Sequence, residues 1–485
     1  MSRSEAVDRL CDARMYIGGQ WTASADGGTL ASIDPFTGEE IAQVPDATTG
    51  DVDDAVAAAR KASTEWAATT PSVRANRIVA WADQLETHAQ ELGEIDAVDS
   101  GNPLGAMVDD VHGACRELRL FAGLASQIAG DSVLNGVDQF AYGVREPYGV
   151  VGRIVPFNHP LKFAAGKTAA ALVAGNTVVL KPSEHTSLSA LRLAELSQGI
   201  LPPGVFNVVT GRGQVTGAAI AGHPDVPRVA FTGGVPAGRA VLRAGAEHIK
   251  HVTLELGGKN PMIVFGDVDP ARAALAAVKG MNFARSQGQS CQSTSRVFVH
   301  ADVEKAFTDE LVQLVRALRV GDPLDPAVDL GPLAFRAHYD RVRGYVQQGQ
   351  EEGAALLSGG SGPQGPGLLL EPTVFGEVKH EMALAREEIF GPVLSILRWE
   401  DYEDMINKAN DSCFGLTANI WTRDLAQAHR TAHRIQAGYV WINGTGKRVP
   451  GTPFGGFKQS GLGKESSLEE ILEYCRHKVI AVGLQ

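Results

Sequence analysis

The sequence predicts an α/β chain built on two parallel sheets, on the strength of three observations. Short β-branched or apolar runs at 150–155, 177–180, 205–209 and 228–231 alternate with Ala-rich helical stretches. That rhythm implies parallel pairing, because parallel neighbours need a crossover and the crossover is usually a helix. The alternation resumes after Glu255, with runs at 261–265, 295–299 and 393–397, which defines a second unit. The composition, 44% hydrophobic and 21% charged over 485 residues, gives a chain long enough for two or three cores and too apolar to be disordered.

Ahead of these units, the stretch to about residue 48 alternates apolar residues with turn signals (Gly18-Gly19, Asp26-Gly27-Gly28, Asp34-Pro35) and reads as short strands and hairpins. From Asp51 the pattern becomes helical. Thr70-Pro71 is an N-cap followed by proline at the first helical position, and Ile78, Trp81, Leu85 and Leu92 recur as one helical face. A further helical segment runs from about His112 to Ile128 and ends near Gly130. The Gly/Pro-rich segment 358–367 is a surface turn, since strand-like sequence resumes beyond it.

The net charge of −12 lacks the basic footprint of a phosphate-backbone binder, so no nucleic-acid partner is expected. The apolar runs are too short for a membrane span, and the first residues lack the apolar core of a secretory signal. The expected location is the cytoplasm. Cys11, Cys115, Cys291, Cys413 and Cys475 are odd in number and scattered, unlike a disulfide framework, and no metal-ligand spacing is present.

Three segments invite chemistry. Cys291 lies among small polar residues and a glycine, Gly288-Gln289-Ser290-Cys291-Gln292-Ser293, whereas a packing cysteine ordinarily sits in an apolar run, the reading given to the other four. Its setting fits a nucleophile helped by backbone dipoles or a base. Glu255 ends a strand-like run and precedes Leu256-Gly257-Gly258, where a desolvated carboxylate suits a general base; a surface glutamate at a strand end is the plain alternative. Thr232-Gly233-Gly234 lies between a strand and a helix, so backbone N–H groups there could face an anion, although the GxGxxG fingerprint is absent.

Seven ordered motifs carry a resemblance: Pro156-Phe157-Asn158-His159-Pro160, Leu180-Lys181-Pro182-Ser183-Glu184, Phe231-Thr232-Gly233-Gly234, Leu254-Glu255-Leu256-Gly257-Gly258-Lys259, Gly288-Gln289-Ser290-Cys291, Glu387-Glu388-Ile389-Phe390-Gly391-Pro392 and Pro453-Phe454-Gly455-Gly456-Phe457-Lys458-Gln459-Ser460-Gly461. From about Met15 to its end the chain resembles the NAD(P)-dependent aldehyde dehydrogenase superfamily. The resemblance implies two Rossmann-like parallel-sheet domains, one for the cofactor (1–128 and 148–254) and one catalytic (255–464). It also implies a small β extension for oligomerisation (129–147 and 465–485). The strand at 472–482 would then join a partner subunit in a homodimer or homotetramer, with 131–146 as the hairpin it meets.

By the same resemblance, Cys291 attacks the aldehyde, the Asn158 amide and the Cys291 N–H hold the oxyanion, and Glu255 activates the water that hydrolyses a thioester. Glu255 also marks a hydrolytic rather than a coenzyme-A-acylating type. Lys167 matches a lysine given either a proton-relay or a structural role. Pro156, Lys181, Glu184, Gly233, Gly234, Glu388 and Phe390 match cofactor contacts. Glu184 favours NAD, with NADP possible, because a carboxylate accepts from both ribose hydroxyls and repels a 2′-phosphate. Gly234 replaces a common serine. The glutamate that aids proton transfer near the C-terminus in some relatives aligns here with Arg476, which leaves that function without a carrier.

At the substrate mouth His159, Arg285, Lys447 and Arg448 stand where aromatic residues are common, beside Phe454, and Gly166 replaces a bulky tryptophan, which leaves room. Cations around a thiol point to a carboxylate-bearing aldehyde, such as a carboxylated benzaldehyde or a dicarboxylic semialdehyde, gripped by Arg448 or Arg285. The alternatives are that these cations pair with acids and the substrate is a neutral aldehyde, or that the chain is a non-catalytic structural member of the family.

Overall fold

Five parallel strands form the centre of the first sheet: Val150–Ile154, Thr177–Lys181, Phe206–Val208, Arg228–Thr232 and His251–Glu255. They are seen in a computed structural model that describes residues 4–10, 13–135, 138–363 and 365–483. Numbered in chain order, they lie third, second, first, fourth, fifth, the order of a dinucleotide-binding fold. Met15–Ile17 and Gln20–Thr22 extend one edge as an antiparallel hairpin. Its two-residue turn, Gly18-Gly19, has φ of 61° and 87°, the left-handed pair such a turn requires.

At the other edge Gly461–Leu462 pairs antiparallel with Leu254 and Glu255. A segment read from sequence as part of the catalytic unit thus closes the first sheet. The second sheet runs Ala355–Ser358, Thr373–Gly376, Val393–Trp399, Arg296–His300, Pro261–Val264, Thr417–Trp421, Tyr439–Ile442, all parallel except the first strand. The strands at its centre are buried on both faces, as covering helices require.

Helix Pro71–Thr87 begins at Thr70, whose hydroxyl accepts the Val73 N–H, with Ile78, Trp81 and Leu85 in the core. Leu92 shares that core from the next helix, Ala89–Ser100, because the backbone bends at His88, whose N–H turns back to the Gln84 and Leu85 carbonyls. Two buried aspartates on this second helix satisfy the starts of others. Asp96 accepts the Leu161 N–H at 3.0 Å, and Asp99 the Leu188 N–H at 3.1 Å. Asp96 thereby fixes helix Pro160–Val173, which carries Gly166 and Lys167.

The third sheet departs from expectation. Strand Cys475–Gly483 pairs antiparallel with Gln139–Pro147 of its own chain, from Cys475 opposite Pro147 to Gly483 opposite Gln139, and Ser132–Leu134 lies on the far side. Helix Leu468–Glu473 ends beside that hairpin and leaves the strand no distance to travel. Among the other cysteines, Cys115 and Cys475 are buried as read, Cys413 is exposed, and Cys11 lies outside the described residues. Among the described residues no helix is long and apolar enough to cross a membrane, and no cluster of His, Cys, Asp and Glu could hold a metal ion.

Candidate active site

The strand order reverses between Val150–Ile154 and Arg228–Thr232, and a crevice opens beyond the carboxyl ends of strands at such a point. Here the crevice is a cleft of about 680 Å³ whose walls include Pro156, Asn158, Gly233, Gly234, Glu255, Cys291, Glu388 and Phe390. On the far side of Cys291 and Glu255 lies a second, much smaller cavity of about 30 Å³, walled by Phe163, Lys167, Arg448, Phe454, Glu465 and Glu470 among others. Cys291, Glu255 and Phe163 line both cavities and form the partition between them.

The Cys291 loop is held by its backbone. Gln287 and Gly288 are both left-handed, with φ of 51° and 71°, and a Cβ at Gly288 would lie 2.3 Å from the Gly391 carbonyl, so only glycine fits. Asn260 clamps the other end by donating to the Cys291 and Ser293 carbonyls at 2.8 and 2.9 Å, while its own oxygen accepts the Thr417 N–H. Asn158 donates one amide hydrogen to the Gln289 carbonyl at 2.7 Å, and its backbone carbonyl accepts from Asn102 at 2.8 Å. The side-chain nitrogen of Asn158 therefore sits beside this loop with its second hydrogen available.

Burial pushes the Cys291 thiol up to about 12, with the Glu255 charge adding to the effect, so the sulfur rests protonated. Burial also pushes Glu255 up to about 7, against the pull of Lys167. Glu255 Oε2 accepts from Lys167 Nζ at 2.8 Å, while Oε1 is buried without a partner. Lys167 also bonds Glu465, which Arg153 grips at 2.8 Å. Burial works to raise Glu465, but Lys167 and Arg153 hold it well below the usual carboxylate range. Glu470, in the same cavity, is raised to about 8 by burial and then by the Glu465 charge.

This network corrects the assignment of the C-terminal carboxylate. Arg476 lies in the third sheet, over the Tyr148 ring, whereas Glu465 meets Lys167 directly. Reciprocal backbone bonds between Glu465 and Phe454, 2.8 and 2.7 Å, bring it there. Glu465 thus belongs to the site and not to the β extension in which the boundary at 465 placed it. The run Gly463-Lys464-Glu465 directly after the last motif was the available signal.

The large cleft has the features of a dinucleotide site. Helix Val235–Ala246 starts at Gly234 with no side-chain cap and no acid in its first turn, leaving its positive end to the cleft. The Gly233 N–H is committed to the Glu255 carbonyl at 3.0 Å, so that glycine serves close packing: a Cβ there would lie 2.5 Å from the Phe231 ring. Glu184 accepts from Lys181 at 2.9 Å and from the Gly213 N–H at 3.2 Å. Burial works to raise Glu184, but Lys181 brings it down to about 2. Glu388 folds onto the Gly257-Gly258 turn, accepting the Gly258 N–H at 2.8 Å where a Cβ on Gly257 would collide with it. Phe390 is left-handed at φ 57°, and its carbonyl meets His338 Nε2 at 2.7 Å.

The substrate-mouth cations divide. His159 Nδ1 and Lys162 lie 2.5 and 3.2 Å from the carboxylate of Asp110, a fully buried residue of helix Leu104–Leu124, and Arg285 pairs with it too. Burial works to raise Asp110, but Lys162, His159 and Arg285 hold it well below its usual range. Burial pulls His159 below its usual range despite the Asp110 charge, so the charges spent on this acid are those of Lys162 and Arg285. Lys447 is exposed, contributing its carbonyl to Trp441. Arg448 lines the small cavity but faces Glu117 at 3.6 Å.

Gly166 leaves no room either, because the Glu117 carboxylate fills the space: a Cβ at Gly166 would lie 2.2 Å from Glu117 Oε2. Sequence reasoning missed Asp110 and Glu117. Their seven-residue spacing puts them on one helix face, the signal that could have found them.

Comparison with known proteins agrees with this architecture. The model of the aldehyde dehydrogenase family matches residues 21–480. The chain is 42% identical over 474 residues to a hydroxyisobutyraldehyde dehydrogenase of Mycolicibacterium austroafricanum, covering 97% of this chain and 94% of that one. It superposes on an aldehyde dehydrogenase of Bacillus cereus in complex with NAD+ with a TM-score of 0.97, at 37% identity and 100% coverage of both chains. A betaine aldehyde dehydrogenase point mutant of Staphylococcus aureus, in complex with NAD+, gives a TM-score of 0.95 at 34% identity over 99% of this chain and 97% of that one. With a family model spanning nearly its whole length and relatives this similar, the chain belongs to the aldehyde dehydrogenase family.

Proposed function

We propose that the chain oxidises a short aldehyde to its carboxylic acid with NAD, through a thioester on Cys291 that water hydrolyses. The observation that carries this reading is the partition: Cys291 and Glu255 stand between a dinucleotide-sized cleft and a small side-chain-lined cavity. NAD, when bound, supplies the hydride acceptor. Lys181 and Glu184, the uncapped helix start at Gly234, and Glu388 with Phe390 are the residues that would hold it. Glu184 is ionised at neutral pH, which disfavours a 2′-phosphate and so favours NAD over NADP.

The protein's own groups do the rest. The Cys291 sulfur adds to the carbonyl carbon and its proton passes to Glu255, which near neutral pH is partly in the carboxylate form. The second Asn158 N–H and the Cys291 N–H donate to the oxygen that gains charge. After oxidation, Glu255 takes a proton from water, hydroxide adds to the thioester, and the Cys291 thiolate leaves. Lys167, itself held by Glu465, keeps Glu255 in place, and Glu255 gives up the proton it gained to water before it serves as base again.

A carboxylate-bearing substrate has lost most of its support. Of the four residues read as cations, His159 is held below its usual pKa by burial and bonds Asp110, Arg285 pairs with the same acid, Lys447 faces solvent, and Arg448 is matched by Glu117. A small neutral aldehyde fits better, and the hydroxyisobutyraldehyde specificity named for the Mycolicibacterium relative is of that kind. The third sheet leaves Ser132–Leu134 and Cys475–Gly483 as its open edges, with Val133, Leu134 and Val479 exposed, which supports a homo-oligomer joined there. The reading is tested by mixing enzyme, NAD and aldehyde in a stopped-flow cell. A stoichiometric burst of NADH is expected, abolished in Cys291→Ser; a burst that survives that change refutes the assignment.

A further inference from the structure

The residues that narrow the small cavity are not the ones its sequence led us to expect. Gly166 lies in helix Pro160–Val173 against helix Leu104–Leu124, and the carboxylate of Glu117 occupies the volume a side chain at 166 would take. The glycine therefore admits a carboxylate into the cavity wall instead of enlarging the cavity. Opposite it, Arg448 is fixed on two sides. Nη1 donates to Ser466 Oγ at 3.1 Å, and the guanidinium lies 4.4 Å over the Phe454 ring. Its other nitrogen, Nη2, stands 3.6 Å from Glu117 Oε1, beyond hydrogen-bond length. The two form a loose ion pair, close enough to offset each other's charge and too long for a direct hydrogen bond, so one small polar group lying beside them can bond to both. Both side chains are one quarter exposed, so the pair is open to an entering molecule.

Resting on the function proposed above, we infer that Glu117 and Arg448 form a clamp for a hydroxyl group, and that the substrates are short hydroxyaldehydes. A hydroxyl accepts from Arg448 and donates to Glu117 at once. A methyl group displaces water from the pair and offers neither charged group a hydrogen bond, a carboxylate meets the like charge of Glu117, and an ammonium meets that of Arg448. Phe121, Phe163 and Phe454 supply the apolar wall for the carbon skeleton.

The test compares kcat/KM with NAD for 3-hydroxypropanal, butanal and 4-oxobutanoate, which share a similar length and differ at the far end. The wild type should prefer 3-hydroxypropanal to butanal by about 10-fold or more and handle 4-oxobutanoate least well. That preference should fall about 10-fold in Glu117→Leu and in Arg448→Met, and in Gly166→Ala, where the new Cβ displaces the carboxylate. The double variant should lose no more than either single one, since the two groups act on one hydroxyl. Glu117→Gln keeps an acceptor of the same shape and should keep most of the preference, which a collapsed pocket would not. A wild-type ratio near one, or ratios within twofold of wild type in all three variants, overturns the clamp. A preference for 4-oxobutanoate overturns it too while leaving aldehyde oxidation standing, whereas no NADH from any of the three refutes the proposed function and the clamp with it.

Discussion

The two cavities that meet at Cys291 are made of different material. The large cleft is shaped by main chain: the sheet's reversal point, the uncapped helix behind Gly234, the Gly257-Gly258 turn under Glu388 and the left-handed residue Phe390. The small cavity is shaped by side chains drawn from far apart, Glu117 from one helix, Lys167 from another, Arg448 and Glu465 from beyond the second sheet. At Gly233 and Gly257 a Cβ would collide with its neighbours, so those turns of the cleft admit little variation. Side-chain walls can be rebuilt one residue at a time, which lets one catalytic partition serve different aldehydes.

The sharpest way to break this comparison is to alter the partition itself. Glu255→Gln should lower steady-state turnover by about 10²- to 10⁴-fold, the usual worth of a general base. Because Glu255 also takes the Cys291 proton when the sulfur adds, the NADH burst should slow by a similar factor and no thioester should build up, so the mass of the intact protein stays unchanged. The wild-type pH profile carries the same information. Glu255 works as the carboxylate and titrates near 7, so turnover should climb as pH rises through about 7 and level off above it. A profile flat from pH 6 to 8 would remove Glu255 as the base.

A change behind the small cavity should have a smaller effect on rate and a visible one on stability. Glu465→Gln removes a negative charge that raises Glu255 and frees Lys167 to bond Glu255 alone. Both consequences favour the Glu255 carboxylate, so the rising limb of the pH profile should move to lower pH. The same change leaves Arg153 buried without its carboxylate, a loss of about 3–5 kcal/mol that thermal unfolding would show as a lower Tm. A limb that stays put while Tm falls would make Glu465 a purely structural anchor.

How much of this was legible in the sequence follows the same division. The strands at 150–155, 177–180 and 228–231, the turn at Gly233-Gly234, and the motifs holding Cys291, Glu255 and Asn158 are local patterns whose geometry depends on few neighbours, and the structure brings those residues together at one cleft. Arg285 looked like a substrate anchor because its partner Asp110 is 175 positions away, and Gly166 looked like empty space because Glu117 comes from another helix. The end of the chain misled for a related reason: whether Cys475–Gly483 joins its own hairpin or a partner's depends on how far a short helix carries the chain, which residue pattern does not encode. Spacing reveals what one segment does to itself; the charge that meets a given side chain depends on packing.

The smallest expected effect separates the cavities most cleanly. Gly234 is the N-cap of helix Val235–Ala246, with extended backbone (φ −77°, ψ 154°) that any residue can adopt, and a Cβ there would touch nothing closer than Pro236 Cδ at 3.8 Å. Gly234→Ser therefore fits without strain and adds a hydroxyl at the cleft wall. As a cap it is worth only a few tenths of a kcal/mol over glycine, so Tm should barely move. As a donor to a bound dinucleotide it adds one hydrogen bond, which should lower KM for NAD by about 2- to 10-fold. The ratio of kcat/KM for 3-hydroxypropanal to that for butanal should stay at its wild-type value, because Glu117 and Arg448 lie across the partition from this helix. A ratio that moved with KM for NAD would mean that the two cavities respond to one another, and the independence of main-chain cleft and side-chain pocket would fail.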